Sequence, residues 1–288
     1  MERRSAKIGI TRKSMLKKEI RSCNVLTINS GLEFSIVYED HNLGLAQEGG
    51  FITDILEQGA NDMNFLRDNY FGMSNYLRIN DTPVLMTFGP QTLTDGLQWD
   101  AIFEGVDPKP TFLTLWYQSH QGGSSCTGEY PWIYLDFIDG LNNFYNNRPL
   151  ETKFGVVYPG FKGYYGEGGW AGPDWTIEPV GPETFRRTVD AAWNSDVEWV
   201  QVATWNDYGE STVIEPTREF GNEYLNILQE KQKVPYGNRE LNLIKDLYLK
   251  RQHYAALGRT DVLEKLIQVN DALNDLQPDL AEKLLKGF

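Results

Sequence analysis

Histidine, cysteine and basic residues are scarce in this sequence. Three histidines (His41, His120, His253) and two cysteines (Cys23, Cys126) are spread over 288 residues. Neither set has metal-centre spacing, so no metal ligands are read here, and two lone thiols cannot frame a disulfide-stapled fold. Lysine and arginine total 27 against 40 aspartates and glutamates, a formal net charge of −13. That leaves no basic surface to displace counterions from a phosphate backbone, which argues against nucleic acid as a partner. No apolar run approaches the length of a membrane span. The start, Met1 to Lys7, is basic, but no uninterrupted apolar segment follows it, so it does not read as a signal peptide. The glycine-rich stretches Gly160–Gly163 and Gly166–Gly169 fit neither a phosphate-binding loop nor a dinucleotide fingerprint. Ser124-Ser125-Cys126 lacks the nucleophile-elbow pattern. No cofactor is expected.

What the chain does have is aromatic rings: 8 Trp, 15 Tyr and 14 Phe, beside 27 Gly. Such rings serve a core, and they also suit clefts that stack on sugars. Short apolar strands alternate with amphipathic helices along the first two hundred or so residues. Strand-like runs occur at Phe34–Tyr38, Pro83–Phe88, Phe112–Trp116, Phe154–Tyr158 and Trp199–Ala203. A hairpin turn is read at Asn80-Asp81-Thr82, and a Gly/Ser loop from Gln121 to Gly128 leads into Tyr130–Tyr134. Helices are expected over the first thirty residues, Phe51–Asn69, Leu93–Phe103, Asp136–Tyr145 and Pro182–Trp193. A long loop rich in glycine and aromatics runs from Pro159 to Gly181. About six strand–helix units of this kind imply a parallel sheet covered by helices, and a (β/α)₈ TIM-type barrel is the leading architecture. Two units are missing from the count, and the expectation places them ahead of residue 1. The chain is therefore divided into a barrel domain at 1–233 and a C-terminal helical extension at 234–288 that packs on it. An open barrel of six units would expose strand edges, which predicts self-association.

In such barrels the chemistry sits where strands end. The polar residues at those places are Glu39 and Asp40, Gln91, Tyr117 with Gln118 and His120, Glu129, Tyr158, and the run Trp205-Asn206-Asp207-Tyr208-Gly209-Glu210. The last group is densest: two carboxylates three residues apart on a turn flanked by aromatics. A carboxyl pair in differing environments is the minimal apparatus for hydrolysing a glycosidic bond, one protonating the leaving oxygen and the other activating the nucleophile. A helix cap or a surface ion pair would use the same residues, and on spacing alone both remain open.

The run Ala203–Ser211 resembles the signature of glycoside hydrolase family 71, the α-1,3-glucanases. Its continuation, Thr212–Pro216, resembles the matching stretch of family 99, the endo-α-mannosidases and α-mannanases. Phe34–Asp40, Pro83–Met86 with Phe88–Gln91, and Tyr158–Phe161 add to the likeness. The resemblance implies a (β/α)₈ barrel working without a metal on an α-linked oligo- or polysaccharide, in relatives that tend to be exported. It implies Asp207 as general base and Glu210 as general acid, with Trp205 and Asn206 lining the sugar subsite and Tyr158 opposite. Family 99 has Glu at the position of Asp207 and retains configuration. Asp is one methylene shorter and leaves room for a water, as in the inverting family 71, so inversion is expected. A retaining α-mannanase and a non-catalytic glycan-binding barrel are the alternatives. Tyr208, Trp116, Tyr117, Gln91, Glu39 and Asp40 complete the expected sugar contacts, and Tyr164, Tyr165 and Trp170 are further candidates for stacking.

Overall fold

The computed structural model describes residues 32–288. The helix expected over the first thirty residues, and Cys23, lie outside the described residues.

Continuous apolar runs make the central strands. Val84-Leu85-Met86 and Phe112-Leu113 are buried on both faces, as strands of a parallel sheet must be when helices cover it. The strands are β1 (Ile36–Tyr38), β2 (Arg78–Ile79), β3 (Thr82–Thr87), β4 (Thr111–Leu115), β5 (Cys126–Tyr130), β6 (Thr152–Val157), β7 (Phe161–Lys162), β8 (Thr176–Ile177) and β9 (Trp199–Val202). The main sheet runs β1-β3-β4-β5-β6-β9, with β2 beside β3. Pairing is parallel from β1 through β6, in registers that include Tyr38 with Thr87, Leu85 with Phe112, Leu115 with Tyr130 and Glu129 with Lys153. β2 and β3 form an antiparallel hairpin closed by Asn80 and Asp81, both left-handed at φ 49° and 64°. Paired positive φ angles match the twist of a two-residue hairpin turn, and Asn and Asp tolerate them best. β7 and β8 pair separately, within the segment read from sequence as a plain loop.

Nine α-helices occur among the described residues: α1 (His41–Glu48), α2 (Ile55–Leu66), α3 (Gly96–Ile102), α4 (Phe137–Asn147), α5 (Pro182–Trp193), α6 (Glu223–Gln232), α7 (Asn238–Ala256), α8 (Thr260–Asn274) and α9 (Pro278–Leu285). Their starts are chemically marked. The Asp54 carboxylate accepts the Leu56 and Glu57 amides at 2.8 and 3.1 Å ahead of α2, and Asp95 with Gln98 forms a capping box on α3. A parallel sheet of six strands clothed by helices is an incomplete α/β barrel, as the alternation implied. Among the described residues, no helix is long and apolar enough to cross a membrane.

The chain divides into two compact units. The first holds the strands up to Val156 and Ser195–Gln201, and the second holds Val157–Asn194 with Val202–Phe288 and a short piece at Leu135–Ile138. In the first, Trp99, Phe103 and Phe112 are fully buried with ring centroids 4.6 to 6.1 Å apart. In the second, Leu247, Leu266, Val269, Leu273 and Leu285 form a separate apolar core among α7, α8 and α9. Aromatic and aliphatic burial of this kind contributes about 1.5–3 kcal/mol per side chain.

Candidate active site

The acidic run lies just past β9, in the second unit, on a loop that closes on itself. The Thr204 amide donates to the Thr212 carbonyl at 3.0 Å, and the two threonine hydroxyls are also 3.0 Å apart. Ile214 and Glu215 both donate to the Trp205 carbonyl, at 3.1 and 3.0 Å. Ser211 turns the chain at φ 57°. Asp207 is bound into the same loop: its amide donates to Thr204 Oγ1 at 3.0 Å and its carbonyl accepts from Thr212 at 3.2 Å. Backbone polar groups that would otherwise need water are thus satisfied locally, which fixes the turn. Trp205 and Tyr208 project outward, 51% and 58% exposed, and Asn206 is exposed between them.

Two carboxyls in unequal surroundings result. Asp207 is exposed, and its Oδ1 accepts the Glu210 amide at 3.1 Å. Glu210 is half-buried and accepts a hydrogen bond on Oε1 from the Tyr165 hydroxyl. Burial pushes the Glu210 carboxyl up and the charge of Asp207 adds to that, while the bond from Tyr165 pulls it down; the net shift is upward. The segment bearing Tyr165 is tied to the loop by its backbone: Lys162 donates to the Glu210 carbonyl at 3.0 Å and Tyr164 to the Gly209 carbonyl at 2.9 Å. Tyr208 donates to Glu215 Oε1 at 2.7 Å, so Glu215 supports the rim of this turn. Tyr158 is buried, its amide donating to Thr188 Oγ1 at 3.1 Å and its ring 5.9 Å from that of Phe137.

The candidates Glu39, Asp40, Gln91, Trp116 and Tyr117 belong to the first unit, each past the end of a strand. Asp40 is fully buried. Its carboxylate accepts the amides of Gln91, Thr92 and Leu93 at 2.6 to 3.1 Å, anchoring the loop after β3. Gly89 makes room for it, since a Cβ there would overlap Asp40 Oδ1 and come within 2.8 Å of the Gln91 amide. Gln91 folds back to donate to the Phe88 carbonyl at 2.7 Å. Glu39 is open to solvent, with Asn42 Nδ2 at 3.4 Å and His41 Nδ1 at 3.8 Å from Oε2. Past β4, Trp116 and Tyr117 stack with centroids 5.8 Å apart. Tyr117 is left-handed at φ 62°, and its hydroxyl accepts from Asn143 at 2.9 Å.

No family model and no curated protein matches the chain. Among solved structures the chain is similar to a "glycoside hydrolase-like protein", with a TM-score of 0.52, 16% identity, and 69% of this chain and 70% of that one covered. It also matches two structures of an endo-α-mannosidase of glycoside hydrolase family 99 from Bacteroides thetaiotaomicron, one in complex with bis-tris-propane. Those have TM-scores of 0.45 and identities of 12% and 13%, and cover 62% and 63% of this chain and 66% and 64% of theirs. What the first of these matches shows is a shared fold, the α/β barrel.

Two side chains escaped sequence reasoning or were read differently. Tyr165 stood among the stacking rings, yet its hydroxyl engages Glu210. The signal is the glycine on either side of it, Gly163 and Gly172, where a Cβ would crowd its ring. Glu129, a strand-end residue, is completely enclosed and meets Arg148 Nε at 2.9 Å, a partner 19 residues away that no local pattern marks. Among the described residues, no three His, Cys, Asp or Glu side chains are grouped to hold a metal ion.

Proposed function

We propose that the protein is a glycosidase acting on an α-linked polysaccharide, an α-glucan such as α-1,3-glucan or an α-mannan. Glu210 is its general acid and Asp207 its general base. The observation that carries the reading is the inequality of the two carboxyls. Glu210 is raised by burial and so holds a proton to higher pH, while Asp207 stands in water one turn away. In this reading Glu210 protonates the glycosidic oxygen as the bond to the anomeric carbon breaks. Asp207 takes a proton from a water that attacks the opposite face, through the Oδ2 not used on the Glu210 amide. The shorter Asp favours a water over direct participation by the sugar, so the product is inverted. Trp205, Asn206 and Tyr208 contact the sugar beside the acid and base, whereas Tyr158, expected opposite them, is buried against Phe137 and does not reach a sugar. Glu39, Gln91, Trp116 and Tyr117 are assigned sugar contacts of the first unit's own, and Asp40 acts there through the loop it anchors.

The test is reducing-sugar release from α-1,3-glucan, α-mannans and β-linked control glucans by wild type and Glu210→Gln. Release from one α-linked polymer, reduced about a hundredfold to ten-thousandfold in the variant, is the expected result, because general acid catalysis contributes about 10²–10⁴. Release by both proteins alike removes Glu210 from the mechanism. Silence across the panel favours a glycan-binding barrel, for which the exposed Trp205 and Tyr208 would supply the stacking surface. The anomer formed in the first minutes, read by NMR, separates inversion from retention.

A further inference from the structure

We propose that Tyr165 is the positioning residue of the acid: it fixes which oxygen of Glu210 carries the proton and supports the carboxylate once that proton is given. The catalytic use of this rests on the glycosidase reading, whereas the contact and its effect on Glu210 do not.

The argument begins with the ring. Tyr165 lies in the aromatic segment between β7 and β8, and two glycines make its seat. A Cβ on Gly172 would overlap the ring, 2.7 Å from its Cδ1, and one on Gly163 would fall 2.8 Å from Cδ2 and 3.0 Å from the Pro173 carbonyl. Carbon atoms in ordinary contact stay about 3.5–4.0 Å apart, so neither position accepts a side chain while the ring keeps its place. The seated ring is further held by the Trp170 amide, which donates to the Tyr165 carbonyl at 2.8 Å. The bonds from Lys162 and Tyr164 to the Glu210 and Gly209 carbonyls set the seat against the acid loop. A phenol so fixed aims its hydroxyl at one oxygen of Glu210, Oε1.

That choice of oxygen has a chemical consequence. A tyrosine O–H donating to Oε1 leaves the carboxyl proton on Oε2, the oxygen free to face a leaving group. When Oε2–H passes its proton to the glycosidic oxygen, the electron pair of that O–H bond stays on the carboxylate. The Tyr165 hydrogen bond then becomes a charge-assisted one, stronger than before transfer. The groups facing Glu210 are Tyr165, which favours the ionised form, and Asp207, which opposes it. Burial raises the Tyr165 phenol itself, and the charge of Glu210 adds to that, so it remains a donor throughout the working range.

The experiment is a carboxyl ¹³C NMR titration of Glu-labelled protein, with the Glu210 signal assigned by its loss in Glu210→Gln. In Tyr165→Phe the Glu210 midpoint is expected to rise by about one pH unit, the worth of one hydrogen bond to a charged group. In Gly172→Ala, which keeps the phenol but displaces the ring, the midpoint is expected to rise likewise. If the wild type cleaves a polymer, the alkaline limb of its rate profile moves up with the midpoint in both variants. A midpoint unchanged in Tyr165→Phe, with the other carboxyl signals in place, overturns the proposal. Should Tyr165→Phe fail to fold, an unchanged midpoint in Gly172→Ala overturns it instead. A midpoint that rises in a protein that cleaves nothing upholds the role of Tyr165 and counts against the glycosidase reading alone.

Discussion

Replacing Glu129 by glutamine tests the first unit where its polar interior is most committed. The side chain is 0% exposed. Its Oε1 accepts from the Ser119 amide at 2.9 Å and Arg148 Nη2 at 2.5 Å, and its Oε2 accepts from the Tyr117 amide at 2.8 Å and Arg148 Nε at 2.9 Å. Glutamine keeps the shape but turns one acceptor oxygen into an NH₂ group. Whichever oxygen changes, one backbone amide and one guanidinium N–H then face a donor. A buried donor left unpaired costs about 1–3 kcal/mol, and breaking a buried ion pair about 3–5 kcal/mol. Arg148 is 30% exposed and recovers part of its hydration, so the low end, about 3 kcal/mol, is expected. At about 2–4 °C per kcal/mol for a domain of this size, the melting temperature falls by roughly 6–12 °C.

The pH dependence sharpens the test. Burial alone would raise this carboxyl, but the bonds from Arg148, Ser119 and the Tyr117 amide outweigh it and hold the folded pKa below the usual value. A lowered folded pKa gives stability that is fully present above the unfolded value, about 4.3, and is lost as pH falls through the folded one. Urea denaturation of wild type and Glu129→Gln from pH 8 to pH 3 should therefore show the largest gap at neutral pH and a closing gap in acid. A loss under about 1 kcal/mol, or a gap that does not narrow in acid, refutes the reasoning. Glu129→Gln combined with Arg148→Gln should cost less than the sum of the two single changes.

Asp40→Asn places an NH₂ against one or more of the three amides its carboxylate accepts, and should cost about 2 kcal/mol in urea denaturation, with Gln91 freed to move. Glu210→Gln should behave in the opposite sense to Glu129→Gln. The folded pKa of Glu210 is raised, so its contribution to stability is present below the unfolded value and lost as pH rises through the folded one. Calorimetry should find the variant equal to wild type near pH 4 and the more stable of the two at pH 8. Trp205→Ala should raise KM about tenfold with a smaller change in kcat, since an exposed ring that stacks on sugar contributes binding rather than proton transfer.

Much of this fold is legible in the sequence because burial on both faces leaves continuous apolar runs. Val84-Leu85-Met86 and Phe112-Leu113 read as interior strands, and they are. Pro182 opens α5 at its first position, where a missing N–H costs nothing. β5 was partly concealed, since its Cys-Thr-Gly-Glu-Tyr sequence looks like polar loop. Gly128 is there because a Cβ would overlap the neighbouring strand at the Thr152 carbonyl, and Glu129 because Arg148 neutralises it. α1 escaped notice because Leu43 is its only buried residue, which leaves no stripe to read. The paired carboxyls stand out through their density at a strand end. Tyr165 does not, since its partner Glu210 lies 45 residues further on and only packing brings them together.

The loop from Thr204 to Glu215 carries both carboxyls, both outward rings and the bonds that close it, all within one short stretch of chain. The spacing of the two carboxyls is thus an heirloom of local backbone rather than of long-range assembly. Lengthening or trading loops elsewhere leaves the distance between the two groups unaltered. Such a stretch behaves as a portable cassette. On the proposed reading, substrate preference is free to drift while the proton chemistry stays put.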